Sequence, residues 1–252
     1  KYYGFKGDTL ASALLSNGVH LIGRSFKYHR PRGIMTCGSE EPNAIVQIGG
    51  NGSFTEPNVR ATEQEIYEGL VATSQNCWPN VEFDVGGINN FIAPVIPAGF
   101  YYKTFMWPKK LWYSLYEPAI RLSAGLGKSP TQPDPELYDH NHLYCDVLIV
   151  GGGISGIIAA IISADNGKNT VLIDDKNSLG GSTIYQNSEN FKINDEISSI
   201  WLEKKINELK NRKNLTIKHR TSLAAFHSYN YLLARENLSD HKSLDKRLNK
   251  LR

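Results

Sequence analysis

The stretch CDVLIVGGGISGIIAA, Cys145 to Ala160, constrains the fold of this chain more than any other part of it. Four apolar residues, Val147 to Val150, read as a short strand, three glycines interrupt it, and an apolar run to about Asp165 reads as a helix. A second strand, TVLID, ends at Asp174. Strand, glycine turn, helix, strand is the βαβ order expected of a parallel sheet.

Within VGGGISG the GxGxxG positions are Gly151, Gly153 and Gly156. The first allows a sharp turn off the strand, the second lets backbone approach a pyrophosphate, and the third lets the helix lie close on the sheet. Phosphates then sit at the helix N-terminus, around Ser155, where free N–H groups and the helix dipole favour negative charge. Asp174 follows Gly151 by 23 residues at the end of the next strand. A carboxylate there accepts hydrogen bonds from ribose hydroxyls and repels a 2′-phosphate, so NAD or FAD is preferred over NADP. Asp175 takes that role if the strand runs one residue further. Gly180, Gly181 and Ser182, in DKNSLGGST, suit a second close backbone approach to the same ligand and point toward the glutathione reductase-like branch of dinucleotide folds.

No catalytic acid, base or nucleophile can be named from the sequence. The seven histidines form no HExxH or comparable ligand spacing, and no GxSxG elbow is present. The cysteines, at 37, 77 and 145, are odd in number and lack a CxxC, so neither a disulfide framework nor a zinc site is indicated, and a reducing cytoplasm is expected. The formal charge of +3 is accounted for by the last fourteen residues, which hold five Lys or Arg against two Asp. The rest is near neutral without a basic stripe, which argues against a nucleic-acid surface. No apolar run approaches a membrane span, and KYYGFKGDTL lacks the apolar core of a signal peptide.

The first half reads differently. YYGF looks like a strand, and GDTLASALLSNGV predicts a short helix capped by Asp8 or Thr9, with Leu10, Ala13, Leu14 and Val19 on one side and Asn17-Gly18 as its left-handed stop. RPRGIMTCG reads as a loop and NAIVQIG as a strand closed by a GGNG turn, while TEQEIYEGLVAT predicts a further helix. Eight aromatics fall between Phe100 and Tyr116, either packing onto neighbouring domains or forming a partner-subunit surface. Three prolines in GKSPTQPDPELYD then stiffen an extended linker. Past the second strand, ISSIWLEKKINELKNRKN predicts a helix, LTIKHR a strand, and SLAAFHSYNYLLAR two strands folding at Ser228 to Asn230.

Taken together, FKGDTLASALLSNGVHLIGRSFKYHRPRGIMTCGSEEPNAIVQIG, GFYYKTFMWPKKLW and CDVLIVGGGISG…VLIDDKNSLGGST resemble the alpha subunits of heterotetrameric sarcosine oxidases along essentially the whole chain. The resemblance implies α+β followed by α/β. Residues 1–126 would be a ferredoxin-like β-grasp domain with an aromatic-rich extension, 127–142 a Pro-rich linker, and 143–252 the first part of a Rossmann-type domain. Cluster-binding relatives of the β-grasp domain carry C-x4-C-x2-C, and aligning TCGSEEPNAIV to that loop puts Thr36, Glu41 and Ala44 at the ligand positions, with Cys37 one place out of register. No iron–sulfur cluster is therefore expected.

By the same resemblance the enzyme demethylates sarcosine oxidatively to glycine, passes electrons through flavin to oxygen and gives the one-carbon unit to tetrahydrofolate. The alpha subunit would hold NAD, with FAD on a beta subunit, FMN near the subunit interface, and gamma and delta subunits completing the assembly. A whole alpha subunit would be several times longer, so an N-terminal fragment is expected. Related opine oxidases and cyanide synthases, or a non-catalytic docking module, are the alternatives.

Overall fold

A computed structural model describes residues 1–50, 52–95, 99, 107–186 and 191–243. The described residues divide into two compact units, Lys1–Leu137 together with 240–243, and Tyr138–Ser239.

In the first unit, α1 (Leu10–Ser16) starts at Thr9, whose hydroxyl accepts the Ser12 N–H at 3.2 Å, and stops at Asn17 ahead of Gly18, φ +77°. A small hairpin, β1 (Gly23–Arg24) with β2 (Pro31–Arg32), precedes a three-stranded antiparallel sheet. In that sheet β3 (Ile45–Ile48) lies between β4 (Glu56–Arg60) and β5 (Ala72–Ser74). Alternation along β3 buries Val46 and Ile48 against Leu10 and Ala11 of α1, with Ile22, Ala44 and Ala61 completing the core.

Two expectations are corrected here. YYGF forms no strand. Its side chains at Tyr2, Tyr3 and Phe5 are exposed, and the Phe5 N–H instead donates to the Asp8 carboxylate at 2.8 Å in a local turn. TEQEIYEGLVAT is not a helix either. Its start is a turn whose neighbouring carbonyls are used elsewhere: Gln64 and Ala61 accept the N–H groups of Leu10 and Ala11 at 2.7 and 2.8 Å. Those are first-turn donors that α1 cannot satisfy internally. Gly69, φ +82°, then redirects the chain so that Ala72 and Ser74 pair with Ile48 and Val46. Tertiary pairing overrides helical periodicity at this site.

The segment after β5 is tied back by Arg24 and Asp84. Arg24 donates to the carbonyls of Val81, Glu82 and His29, while Asp84 accepts the N–H groups of Trp78 and Gly86 and meets His29 Nδ1 at 2.6 Å. The Asp84 side chain is only 1% exposed. Burial opposes its charge, but the Trp78 and Gly86 amides and His29 outweigh burial and hold the carboxyl below its usual range. Because the folded-state value is depressed, this stabilisation is present above the unfolded carboxyl's pKa and is lost as pH falls through the folded one. Asp84→Ala is expected to cost about 2 kcal/mol at neutral pH, by removing the charged acceptor that the Trp78 and Gly86 N–H groups and His29 share. Denaturant unfolding across pH should show the gap to wild type narrowing below about pH 4; a gap independent of pH would refute the charge-based account.

Of the eight aromatics, Trp107, Trp112, Tyr113 and Tyr116 are described, and the other four lie outside the described residues. Trp107 and Tyr113 are exposed, and Tyr116 Oη donates to the Trp107 carbonyl just before α2 (Glu117–Ser123). The Pro-rich stretch begins docked on the first unit, with the Gly127 and Lys128 amides donating to Asn58 Oδ1 and Gln47 Oε1.

The second unit holds the parallel sheet. β6 (Val147–Val150) and β7 (Thr170–Ile173) pair in register, and β10 (Leu215–Lys218) lies on the other side of β7. β7 is buried throughout, as a central strand covered on both faces must be. α3 (Ile154–Asp165) buries Ile157, Ala160, Ile161 and Ala164, the i, i+3, i+4, i+7 set of one helical face. Leu172, Leu179 and Leu209 of α4 (Ser198–Lys210) join them in the core. The hairpin of β11 (Thr221–His227) and β12 (Tyr231–Glu236) turns at Ser228–Asn230 as the sequence predicts. A two-residue hairpin between β8 (Lys192–Ile193) and β9 (Glu196–Ile197) is additional, with Asn194 and Asp195 at φ +49° and +64°. The Asn-Asp pair was its sequence signal.

Candidate functional site

The C-terminal ends of β6, β7 and β10 form the edge where open α/β sheets bind ligands. At β6 the chain passes into Gly151, whose φ of +99° favours glycine and whose N–H continues the sheet by donating to the Ile173 carbonyl at 2.8 Å. Gly153 begins α3, and no side chain caps that helix. A Cβ added to Gly156 would lie 1.9 Å from the Gly151 carbonyl oxygen, so helix and turn approach closely only because position 156 lacks a side chain. Ser155 is exposed on the first turn.

The second glycine loop meets the first. Gly180 donates its N–H to the Gly152 carbonyl at 2.8 Å, and a Cβ on Gly181 would come within 3.0 Å of Gly153 Cα. Gly153 faces a more open space: the nearest atom to an added Cβ is Gly181 Cα at 3.9 Å. Ser182 is exposed beside this junction.

The two acids behave differently. Asp174, immediately past β7, is 5% exposed, and its carboxylate is turned onto backbone: one oxygen accepts the Gly152 N–H and the other the Lys176 N–H at 2.9 Å. It braces the glycine turn from beneath. Asp175 is exposed.

Two polar groups at this edge carried no sequence signal. Thr183 is buried with a hydroxyl that has no hydrogen-bond partner. His219 follows β10 directly and lies within electrostatic reach of Asp174. Burial pushes its imidazole pKa down against that carboxylate's pull, and its Nδ1 is buried without a partner. Neither belongs to a motif, and only the fold brings them to the edge. Among the described residues no group of three or more His, Cys, Asp or Glu side chains could hold a metal ion, and no helix is long and apolar enough to cross a membrane.

Residues 1–77 match the 2Fe-2S iron-sulfur cluster binding domain family, and residues 146–241 the FAD dependent oxidoreductase family. Sarcosine oxidase subunit alpha of Rhizobium meliloti (strain 1021) is 46% identical over 94% of this chain, and its counterpart from Corynebacterium sp. (strain U-96) is 28% identical over the same share. The chain spans 24% and 20% of the length of these relatives. The crystal structure of L-proline dehydrogenase from P. horikoshii covers 92% of the chain at 18% identity with a TM-score of 0.51, while this chain covers 34% of it. That likeness concerns the fold. The resemblance read from the sequence is borne out by these relatives, as are a ferredoxin-like first domain and an oxidoreductase-type dinucleotide fold in the second.

Proposed function

We propose that this chain, a homologue of sarcosine oxidase alpha subunits over 94% of its length, is part of such a subunit and serves the complex by holding a dinucleotide, NAD or FAD, at the edge formed by β6, β7 and β10. The observation that carries this is the meeting of Gly153 and Gly181 beneath the uncapped start of α3. The cradle fits a pyrophosphate. It is free of side chains at Gly151, Gly153 and Gly181, and the first-turn amides of α3 supply donors and a favourable dipole.

When bound, the cofactor supplies the hydride and electron chemistry. The chain's own residues position it. The Ser155 and Gly156 amides would hold the phosphates, Asp174 fixes the turn, and the exposed Asp175 carboxylate would accept ribose hydroxyls and repel a 2′-phosphate. The proposed reaction of the whole assembly is oxidative demethylation of sarcosine to glycine, with electrons passing by flavin to oxygen and the one-carbon unit to tetrahydrofolate. Beta, gamma and delta-type subunits supply FAD, the FMN interface and the amine site. The first unit serves as a cluster-free scaffold.

Calorimetric titration of the chain with NAD, FAD and NADP tests the site. Saturable binding of NAD or FAD, at least roughly tenfold tighter than NADP, is expected. No binding of any of the three, or tightest binding of NADP, would sink the assignment. At the level of the assembly, peroxide production dependent on an opine but not on sarcosine would move the substrate to the neighbouring family.

A further inference from the structure

The matched family of the first unit is defined by a 2Fe-2S cluster, yet the loop that would hold one is organised around a different anion. Glu41 is 1% exposed, and both of its carboxylate oxygens point into the loop. One accepts the N–H groups of Met35 and Thr36, each at 2.7 Å. The other accepts those of Asn43 at 2.7 Å and Ala44 at 3.2 Å. Thr36, Glu41 and Ala44 are the three positions that align with cluster ligands, so the side chain from the middle position binds the backbone of the other two. Cys37, the one thiol of the segment, is exposed. Further bonds hold the loop shut: Thr62 Oγ1 donates to the Gly38 carbonyl at 2.6 Å, and Arg60 Nε donates to the Glu41 carbonyl at 3.2 Å.

Convergent backbone N–H groups make concavities that bind anions, iron–sulfur clusters among them, and such donors are what the sulfurs of a cluster engage. A cluster does not fit the residues present, which offer neither the thiolates nor any described group of three metal-ligating side chains. We propose that Glu41 is a resident anion that takes the cluster's place, closing the loop with a carboxylate so that the unit keeps its ferredoxin-like shape without metal and without a redox role. This deepens the reading of the first unit as a cluster-free scaffold. Burial would by itself raise the carboxyl's pKa, but the four amides outweigh it and hold the group below the usual range, so it stays ionised at neutral pH.

The emptied loop is then a small carboxylate site. In Glu41→Ala the thermal midpoint of the whole chain should fall by roughly 10 °C. Formate or acetate should restore part of the loss, and chloride at equal ionic strength should not. Glu41→Gln should fall comparably, since its amide NH2 must face two of the donors. A Glu41→Gln variant as stable as wild type would overturn the proposal, as would rescue by chloride equal to that by formate. If neither variant folds, hydrogen exchange in the wild-type chain decides: slow exchange at Met35, Thr36, Asn43 and Ala44 is expected, and rapid exchange at all four overturns it. Anaerobic incubation of the wild-type chain with ferrous iron and sulfide tests the underlying reading separately. No stoichiometric iron should be retained, and two irons per chain would defeat the cluster-free scaffold itself.

Discussion

Gly153→Val is expected to weaken NAD or FAD binding by at least roughly a hundredfold, about 2.7 kcal/mol, while leaving the second unit folded. The backbone at Gly153 is extended, φ −71° and ψ −175°, a conformation valine adopts without strain. An added Cβ has only Gly181 Cα, at 3.9 Å, within 4 Å, so a side chain at this position enters the open space of the cradle. That space is where a pyrophosphate would lie against the start of α3. Gly156→Ala is the contrasting case. Its Cβ would meet the Gly151 oxygen at 1.9 Å, and the strand–turn–helix corner has to open. Calorimetric titration together with circular dichroism separates the two: Gly153→Val should be folded and fail to bind, and Gly156→Ala should lose structure. A folded Gly153→Val chain that binds NAD or FAD as wild type does would remove the glycine cradle from consideration.

Asp174→Ala should lower the melting temperature by roughly 10 °C, as expected when one buried and one half-buried N–H group lose a charged acceptor in a domain of this size. The groups are those of Gly152 and Lys176, so the change loosens both the glycine turn and the exit from β7. Asp175→Ala should leave the midpoint unchanged within about 1 °C, as surface substitutions usually do. The pair therefore distinguishes bracing, which the structure gives to Asp174, from ribose recognition, the one role that the sequence motif assigns to its acid. If Asp175→Ala weakens dinucleotide binding at constant stability, the exposed carboxylate is the one that meets the ribose. A stability loss at Asp175 equal to that at Asp174 would contradict the geometry.

Elements whose determinants are local were legible in the sequence. The Thr9 cap, the Asn17-Gly18 stop, the strand–glycine–helix corner and the Ser228–Asn230 turn each depend on residues a few positions apart. Residues 62–73 were misread as a helix because what decides them is distant, namely pairing with β3 and the unsatisfied amides of α1. Asp174 was legible as an acid of the dinucleotide motif but not as the brace of Gly152, since spacing does not say where a carboxylate turns. At Glu41 the sequence registers only a missing cysteine. Its inward rotation onto four amides is a property of the folded loop. Thr183 and His219 come to the edge of the sheet by topology alone.

The borrowed cap of α1 bears on the order in which the first unit assembles. A helix of seven residues is below the length at which helices persist alone in water. This one draws the acceptors for Leu10 and Ala11 from Gln64 and Ala61, about fifty residues further along the chain. Closing a loop of that length costs entropy before any contact repays it. The helix is therefore expected to form together with the sheet rather than ahead of it.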